Sequence, residues 1–184
     1  MDFMTTPSVP AGHTAIGGVL VGSGNARRRL VVFEDPQCPY CRQFEEQSGD
    51  LLRREVAAGA VAVEYRMRSF LGPESVRANN ALALAAEVGR FDELRRTLFE
   101  HQPPENTGGF THEDLLDLGR QAAVTAPEYV EGVREGRYEA WAREVDENFE
   151  EQDLQGTPAA VLDGEPVDSR VLYDPEALGA LLRA

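Results

Sequence analysis

A short apolar run leading into a pair of cysteines constrains this chain more than any other feature. Leu30-Val31-Val32-Phe33 reads as a buried strand, and Cys38-Pro39-Tyr40-Cys41 follows after one turn. From there Phe44 and Leu51-Leu52 recur at roughly helical spacing among Arg and Glu, which predicts a helix from about Pro39 to Ala57, ended by Gly59. Val61 to Met67 reads as a second strand. A strand, a helix and a strand in this order form a βαβ unit, parallel and right-handed by default. The cysteines therefore stand where a buried strand gives way to a helix.

That position sets their chemistry. A helix start carries unpaired backbone N–H groups and the positive end of the macrodipole, and both favour a thiolate over a thiol. Cys38, at the N-cap position, is expected to have a lowered pKa and to act as nucleophile. Cys41, one turn on and less exposed, is expected to attack the resulting mixed disulfide and release the partner. Pro39 suits the first helical position, where its missing N–H has no intrahelical partner to lose.

Two other roles are open to such a pair. Zinc takes four ligands, but Cys38 and Cys41 are the only cysteines, and His13, His101 and His112 fall in a tail and in helical segments. A purely structural disulfide would close so small a loop that it would remove little chain entropy. Redox exchange, with no metal and no dissociable cofactor, is the better reading of the pair.

The remaining chain supplies the setting. At 184 residues one domain, or one domain with an insertion, is expected. The formal charge of −14, with no basic tract longer than Arg27-Arg28-Arg29, argues against binding a nucleic-acid backbone. The longest apolar stretch, Val56 to Val63, falls well short of the ~20 residues that a membrane-spanning helix needs. Ala15 to Val21 is glycine-broken and precedes its arginines, unlike a secretory signal. As written the chain reads as cytoplasmic, and as a cell-envelope protein only if a signal or anchor has been removed.

Residues 1–14 read as a loose tail. Ala15 to Val21 and Arg29 to Glu34, separated by Gly22-Ser23-Gly24-Asn25, predict a hairpin. Helices are expected over Ser75–Gly89 and Phe91–His101, from Thr111-His112-Glu113-Asp114 onward, and over Thr125–Val133. Another carries Tyr138, Trp141, Val145 and Phe149 on one packing face, with an acidic end (Glu144, Asp146, Glu147, Glu150, Glu151, Asp153) that is expected to be solvated. Ala159 to Leu162, the Asp163-Gly164 turn and Val167 to Tyr173 return to β structure, and Asp174-Pro175 starts a closing helix with Leu178, Leu181 and Leu182 on one face.

Phe33-Glu34-Asp35-Pro36-Gln37-Cys38-Pro39-Tyr40-Cys41, the helical insertion, and Gly156-Thr157-Pro158 before a strand together resemble the DsbA-like thiol-disulfide oxidoreductases of the thioredoxin superfamily. The resemblance covers about residues 15–184. It implies an α/β thioredoxin fold, a central mixed sheet flanked by helices, with an inserted α-helical domain. The expected segments are the tail 1–14, the first thioredoxin-like part 15–72, the insertion 73–153 and the completing part 154–184. It further implies that Cys38 attacks, that Cys41 resolves, and that Pro158 follows a cis peptide bond. The backbone of Thr157 would then pair with an extended substrate segment, beside Pro39 and Tyr40. The implied partners are protein or peptide thiols and disulfides, and a redox partner that resets the cysteines.

Two positions depart from the pattern. Many relatives carry a buried acid six residues before the first cysteine, where this chain has Val32. Glu34 and Asp35 are the nearest substitutes, although charged residues at a strand end are ordinarily solvated. Tyr40 stands where strongly oxidising relatives place histidine, which implies a milder oxidant. Two alternatives keep the same fold: a reductase or isomerase dependent on a low-molecular-weight thiol, and a non-catalytic module that holds peptides in the Pro158 groove.

Overall fold

The computed structural model describes residues 12–14, 16–147, 154 and 156–184. The expectations for residues 1–11 and for Phe149, Glu150, Glu151 and Asp153 lie outside them. Among the described residues the order is β1 (Gly18–Val21), β2 (Arg28–Glu34), α1 (Pro39–Ala57), β3 (Val61–Met67), α2 (Pro73–Glu87), α3 (Phe91–Glu100), α4 (His112–Gln121), α5 (Pro127–Glu135) and α6 (Glu139–Glu147). Then come β4 (Ala159–Leu162), β5 (Glu165–Pro166), α7 (Ser169–Leu172) and α8 (Pro175–Arg183).

The strands form one mixed sheet in the order β1-β3-β2-β4-β5. The β2-α1-β3 unit is parallel as expected, with Leu30 paired to Val63 and Val32 to Tyr65. β4 runs antiparallel on the other edge of β2, so that Phe33 at the end of β2 faces Ala159 at the start of β4. This register brings the chain just before β4 alongside the chain just after β2, which is how one end of the sheet collects the functional residues.

The hairpin between β1 and β2 does not form. β1 pairs antiparallel with β3 instead, Gly18 opposite Arg66 and Val21 opposite Val63. Both edges of β2 are taken, by β3 and β4, so β1 has only the far edge of β3 available. Neighbouring strands lie about 4.8 Å apart, so the connection between β1 and β2 need cross only one strand. It does so at Gly22, whose φ of +104° suits glycine and where a Cβ would lie 3.0 Å from Val56 Cγ1.

Val167 to Tyr173 also differs from expectation. The last bond to β4 is from the Val167 N–H to the Ala160 carbonyl at 2.9 Å, and Asp168 then accepts from the Arg170 N–H to cap the short helix α7. A local N-cap wins there over the β tendency of the valines. Elsewhere the local signals hold. Thr111 and Asp114 form a reciprocal capping box at α4, Asp174 caps α8, and the Asp163-Gly164 turn has both residues at positive φ.

One apolar cluster runs through the sheet and the helices around it, including Leu30, Val32, Phe44, Leu52, Leu94, Leu98, Leu115, Leu178 and Leu182. Each such side chain contributes about 1.5–3 kcal/mol when fully withdrawn from water. Trp141 and Ala142 pack with Val76 and Ala83 in a second cluster, with Tyr138 and Val145 against it, as the helical spacing predicts. Asp146 is not merely solvated: it accepts from Arg68 Nε at 2.7 Å and from the Ser69 N–H at 3.2 Å. No helix among the described residues is long and apolar enough to cross a membrane.

Candidate active site

β2 delivers its chain end into the interior, and Asp35-Pro36-Gln37 turns it into α1. The turn is built from the Asp35 side chain and backbone: Oδ1 accepts from the Gln37 N–H at 3.0 Å, and the carbonyl accepts from the Cys38 N–H at 2.9 Å. Cys38 then occupies the N-cap of α1 in extended conformation, with Pro39 in the first turn. Its carbonyl accepts from the Cys41 and Arg42 N–H groups at 3.1 and 3.2 Å.

The two cysteines are free thiols, and they are not equivalent. The Cys38 thiol donates to the Thr157 carbonyl at 3.3 Å. Its pKa is lowered to about 7, first by the hydrogen bond from the Cys41 side chain, then by the Thr157 side chain and the Cys41 and Tyr40 N–H groups, against the opposing effect of burial. Cys41 is fully buried, and its pKa is pushed well above the ordinary thiol value, first by burial, then by its bond to Cys38 and by the charge of Glu34. One sulfur is thus prepared to ionise near neutrality and its neighbour is held protonated. Phe99 clusters with the pair, and Leu71 packs against that cluster.

The remaining residues expected at the site are also brought here. Pro39 and Tyr40 are exposed beside the sulfur, Thr157 is half-buried and Pro158 buried, and the Thr157–Pro158 peptide bond is cis. Thr157 Oγ1 is buried without a hydrogen-bond partner and so keeps its donor available for an ionised Cys38.

Glu34 and Asp35 are not solvated, contrary to the tendency of strand-end acids; both are fully buried. Glu34 is gripped bidentately by Arg95, whose Nη2 and Nε lie 2.6 and 2.8 Å from its two oxygens. Arg95, itself 1% exposed, also donates to Glu45 at 2.7 Å and lies over the Tyr65 ring at 4.2 Å. Burial raises the Glu34 pKa, and Arg95 opposes the rise. Asp35 accepts from the Ser75 hydroxyl and the Gln37 and Leu71 N–H groups, yet burial raises its pKa to about 6.

Sequence reasoning missed Arg95, although a signal was present. Phe91, Leu94, Arg95, Leu98 and Phe99 follow the inward spacing of α3, so Arg95 occupies a core position and requires a buried partner. Gln37, Gln102 and Tyr173 carry no such signal. The Tyr173 hydroxyl points to the Tyr40 carbonyl at 3.5 Å, and Gln37 and Gln102 brace the turn before Cys38.

The thioredoxin family model matches residues 14–183. The chain belongs to the thioredoxin family. Among solved structures it is similar to the reduced disulfide-bond oxidoreductase DsbG of Mycobacterium tuberculosis, with 25% identity over 90% of this chain and 86% of that one and a TM-score of 0.77. DsbA of the same organism is 24% identical over 91% of each chain, with a TM-score of 0.77. The thiol-disulfide oxidoreductase MdbA of Actinomyces oris shares the fold at a TM-score of 0.82 and 21% identity, over 99% of this chain and 92% of that one. No curated protein matches the sequence at a significant level. The family member described here thus has the mixed sheet of a thioredoxin fold, helical content beyond that core, and a Cys-x-x-Cys pair at the start of its first helix.

Proposed function

We propose that this protein is a thiol-disulfide oxidoreductase acting on protein or peptide substrates, with Cys38 as nucleophile and Cys41 as resolving thiol. The observation that carries the reading is the asymmetry of the pair: Cys38 lowered to about 7 beside Thr157, and Cys41 buried and raised behind it.

In the reducing direction the Cys38 thiolate attacks one sulfur of a substrate disulfide. That S–S bond breaks, a mixed disulfide forms, and the departing sulfur leaves as a thiolate that takes up a proton. Cys41 then loses its proton and attacks the Cys38 sulfur. This releases the second substrate thiol and leaves the Cys38–Cys41 disulfide, so two electrons have passed to the substrate. In the oxidising direction a substrate thiolate opens the Cys38–Cys41 disulfide and the same steps run in reverse. The redox poise of the compartment sets the direction, and a further partner resets the pair.

Glu34 fills the role that Val32 leaves empty. It is the carboxylate whose charge Cys41 meets in the interior; burial favours its protonated form, and it would take the proton that Cys41 gives up at the expense of one of its bonds from Arg95. An extended substrate segment would run along Thr157 and Pro158, with Pro39 and Tyr40 flanking its sulfur. Within this reading 15–72 and 154–184 form the thioredoxin-like part and 73–153 the helical insertion. The unequal thiols favour exchange over a module that only holds peptides.

Thiol trapping combined with insulin reduction tests the assignment. Cys38→Ser is expected to abolish turnover, and Cys41→Ser to accumulate the mixed disulfide. A Cys38→Ser protein as active as the unmodified one would overturn the reading.

A further inference from the structure

We propose that Gln102, together with Gln37, is a positioning residue that holds the Cys38 peptide in the orientation needed for thiolate chemistry, and so couples the helical segment to the redox turn. This rests on the functional reading above and extends it to residues with no sulfur and no charge.

The geometry is a pair of crossed straps. Gln102, just past the end of α3, reaches back into the redox turn: its Nε2 donates to the Pro36 carbonyl at 2.8 Å and to the Cys38 carbonyl at 3.0 Å. Gln37 reaches the other way from the turn. Its Nε2 donates to Ser75 Oγ at 3.0 Å and to the Leu71 carbonyl at 3.3 Å, and its Oε1 accepts from the Asn106 N–H at 2.9 Å. Gln37 is 1% exposed, and a buried primary amide is tolerated only where its donors and acceptor are paired, as they are here.

The chain between α3 and α4 that carries Gln102 and Asn106 has no regular structure, but it is fastened along its length. The Gly108 N–H reaches Glu74 at 3.2 Å, and Arg77 donates to the Gly109 and Phe110 carbonyls at 3.1 and 2.8 Å. Gln102 therefore pulls from a fixed support.

The contact matters because of which carbonyl it grips. The Cys38 carbonyl begins the hydrogen bonding of α1, accepting from the Cys41 and Arg42 N–H groups. The peptides that follow it carry the Tyr40 and Cys41 N–H groups, which help to stabilise the Cys38 thiolate. Fixing the Cys38 carbonyl aims that first turn, and releasing it lets the N–H groups drift off the sulfur. Neither glutamine ionises, so the support does not depend on its own protonation.

The test compares three variants of the full chain with the unmodified protein, measuring Cys38 thiolate formation by absorbance near 240 nm and by alkylation rate as functions of pH, together with Tm. Gln102→Met keeps the length of the side chain and removes its donors. Arg77→Met loosens the same connection without touching the redox turn. Gln102→Met is expected to raise the Cys38 midpoint by about one pH unit, the order of one lost hydrogen bond, and to slow alkylation below pH 7 about tenfold. Arg77→Met is expected to lower Tm and to shift the midpoint by much less than the Gln102 variants, because Glu74 still holds the connection at the Gly108 N–H and the Gln102 bonds to the turn are intact. Gln102→Asn, which keeps the amide but cannot reach, should behave as Gln102→Met. An unchanged midpoint in both Gln102 variants, or an equal shift in Arg77→Met, overturns the proposal. A midpoint at the ordinary thiol value in the unmodified protein would instead sink the functional reading beneath it.

Discussion

The sulfur of Cys38 lies 3.3 Å from the carbonyl oxygen of Thr157, a residue 119 positions further along the chain. The contact is a consequence of sheet register. Phe33 pairs with Ala159, so the turn leaving β2 and the Thr157-Pro158 segment entering β4 emerge from the same end of adjacent strands. Whatever binds along that segment is presented to the thiol that ionises first.

Thr157 should set part of the acidity of Cys38. Its hydroxyl has no hydrogen-bond partner while the thiol is protonated and can donate once the sulfur is charged. A depressed folded pKa means that ionisation stabilises the reduced fold. That stabilisation is fully present above the unfolded thiol value of about 8.5 and is lost as the pH falls through about 7. Thr157→Val preserves shape and removes the donor, so the Cys38 midpoint should rise and the equilibrium with glutathione should shift towards the enzyme disulfide. Direct titration of the thiolate checks it; an unmoved midpoint contradicts the role.

Arg95 should be worth more to stability than surface ion pairs are. It is 1% exposed and neutralises a carboxylate that is fully buried. Arg95→Met leaves the buried Glu34 carboxyl without its partner, so that it must either stay charged in the interior or take up a proton, at a cost of about 3–5 kcal/mol. Converting Glu34 to Gln in the same protein should recover a large part of that loss, because the uncompensated charge is then gone. Urea unfolding of the two singles and the double measures the coupling, and a single-variant loss below about 1 kcal/mol would contradict the assignment.

Much of this was legible in the sequence because the signals were local. The apolar strand, Cys38-Pro39 at a helix start and Asp174-Pro175 at another each specify a short conformation through their own backbone chemistry. The pairing of β1 was not local. Gly22 to Arg27 would also suit a hairpin, and only the occupation of both β2 edges excludes it. Asp168 redirected the segment after Val167 by capping, a preference that the neighbouring valines concealed. At the site, the cysteines could be named because their residue type and place carry the chemistry, and Thr157-Pro158 only through the resemblance to DsbA-like oxidoreductases. The burial of Glu34 could not, since it depends on Arg95 arriving from α3, and Gln102 acts through a loop with no pattern of its own.

Asp35 gives a pH dependence of opposite sign to Cys38. Its folded pKa is raised from 3.8 to about 6, so the folded state holds the proton more tightly than the unfolded chain. The stabilisation is complete below about 4 and is lost as the pH rises through about 6. Asp35→Asn removes this titration. The stability difference between the variant and the unmodified protein should therefore change across that window and level off above it. Unfolding free energies at closely spaced pH values test this, and parallel curves from pH 4 to 7 would contradict it.

The most direct measurement is the titration of the two thiols in the reduced protein, resolved by alkylating and mapping Cys38 and Cys41 separately as the pH is raised. Cys38 should react with a midpoint near 7, and Cys41 should stay unreactive through pH 9. Equal reactivity of the two, at the midpoint of an ordinary thiol, would contradict a nucleophile prepared by the helix start and Thr157.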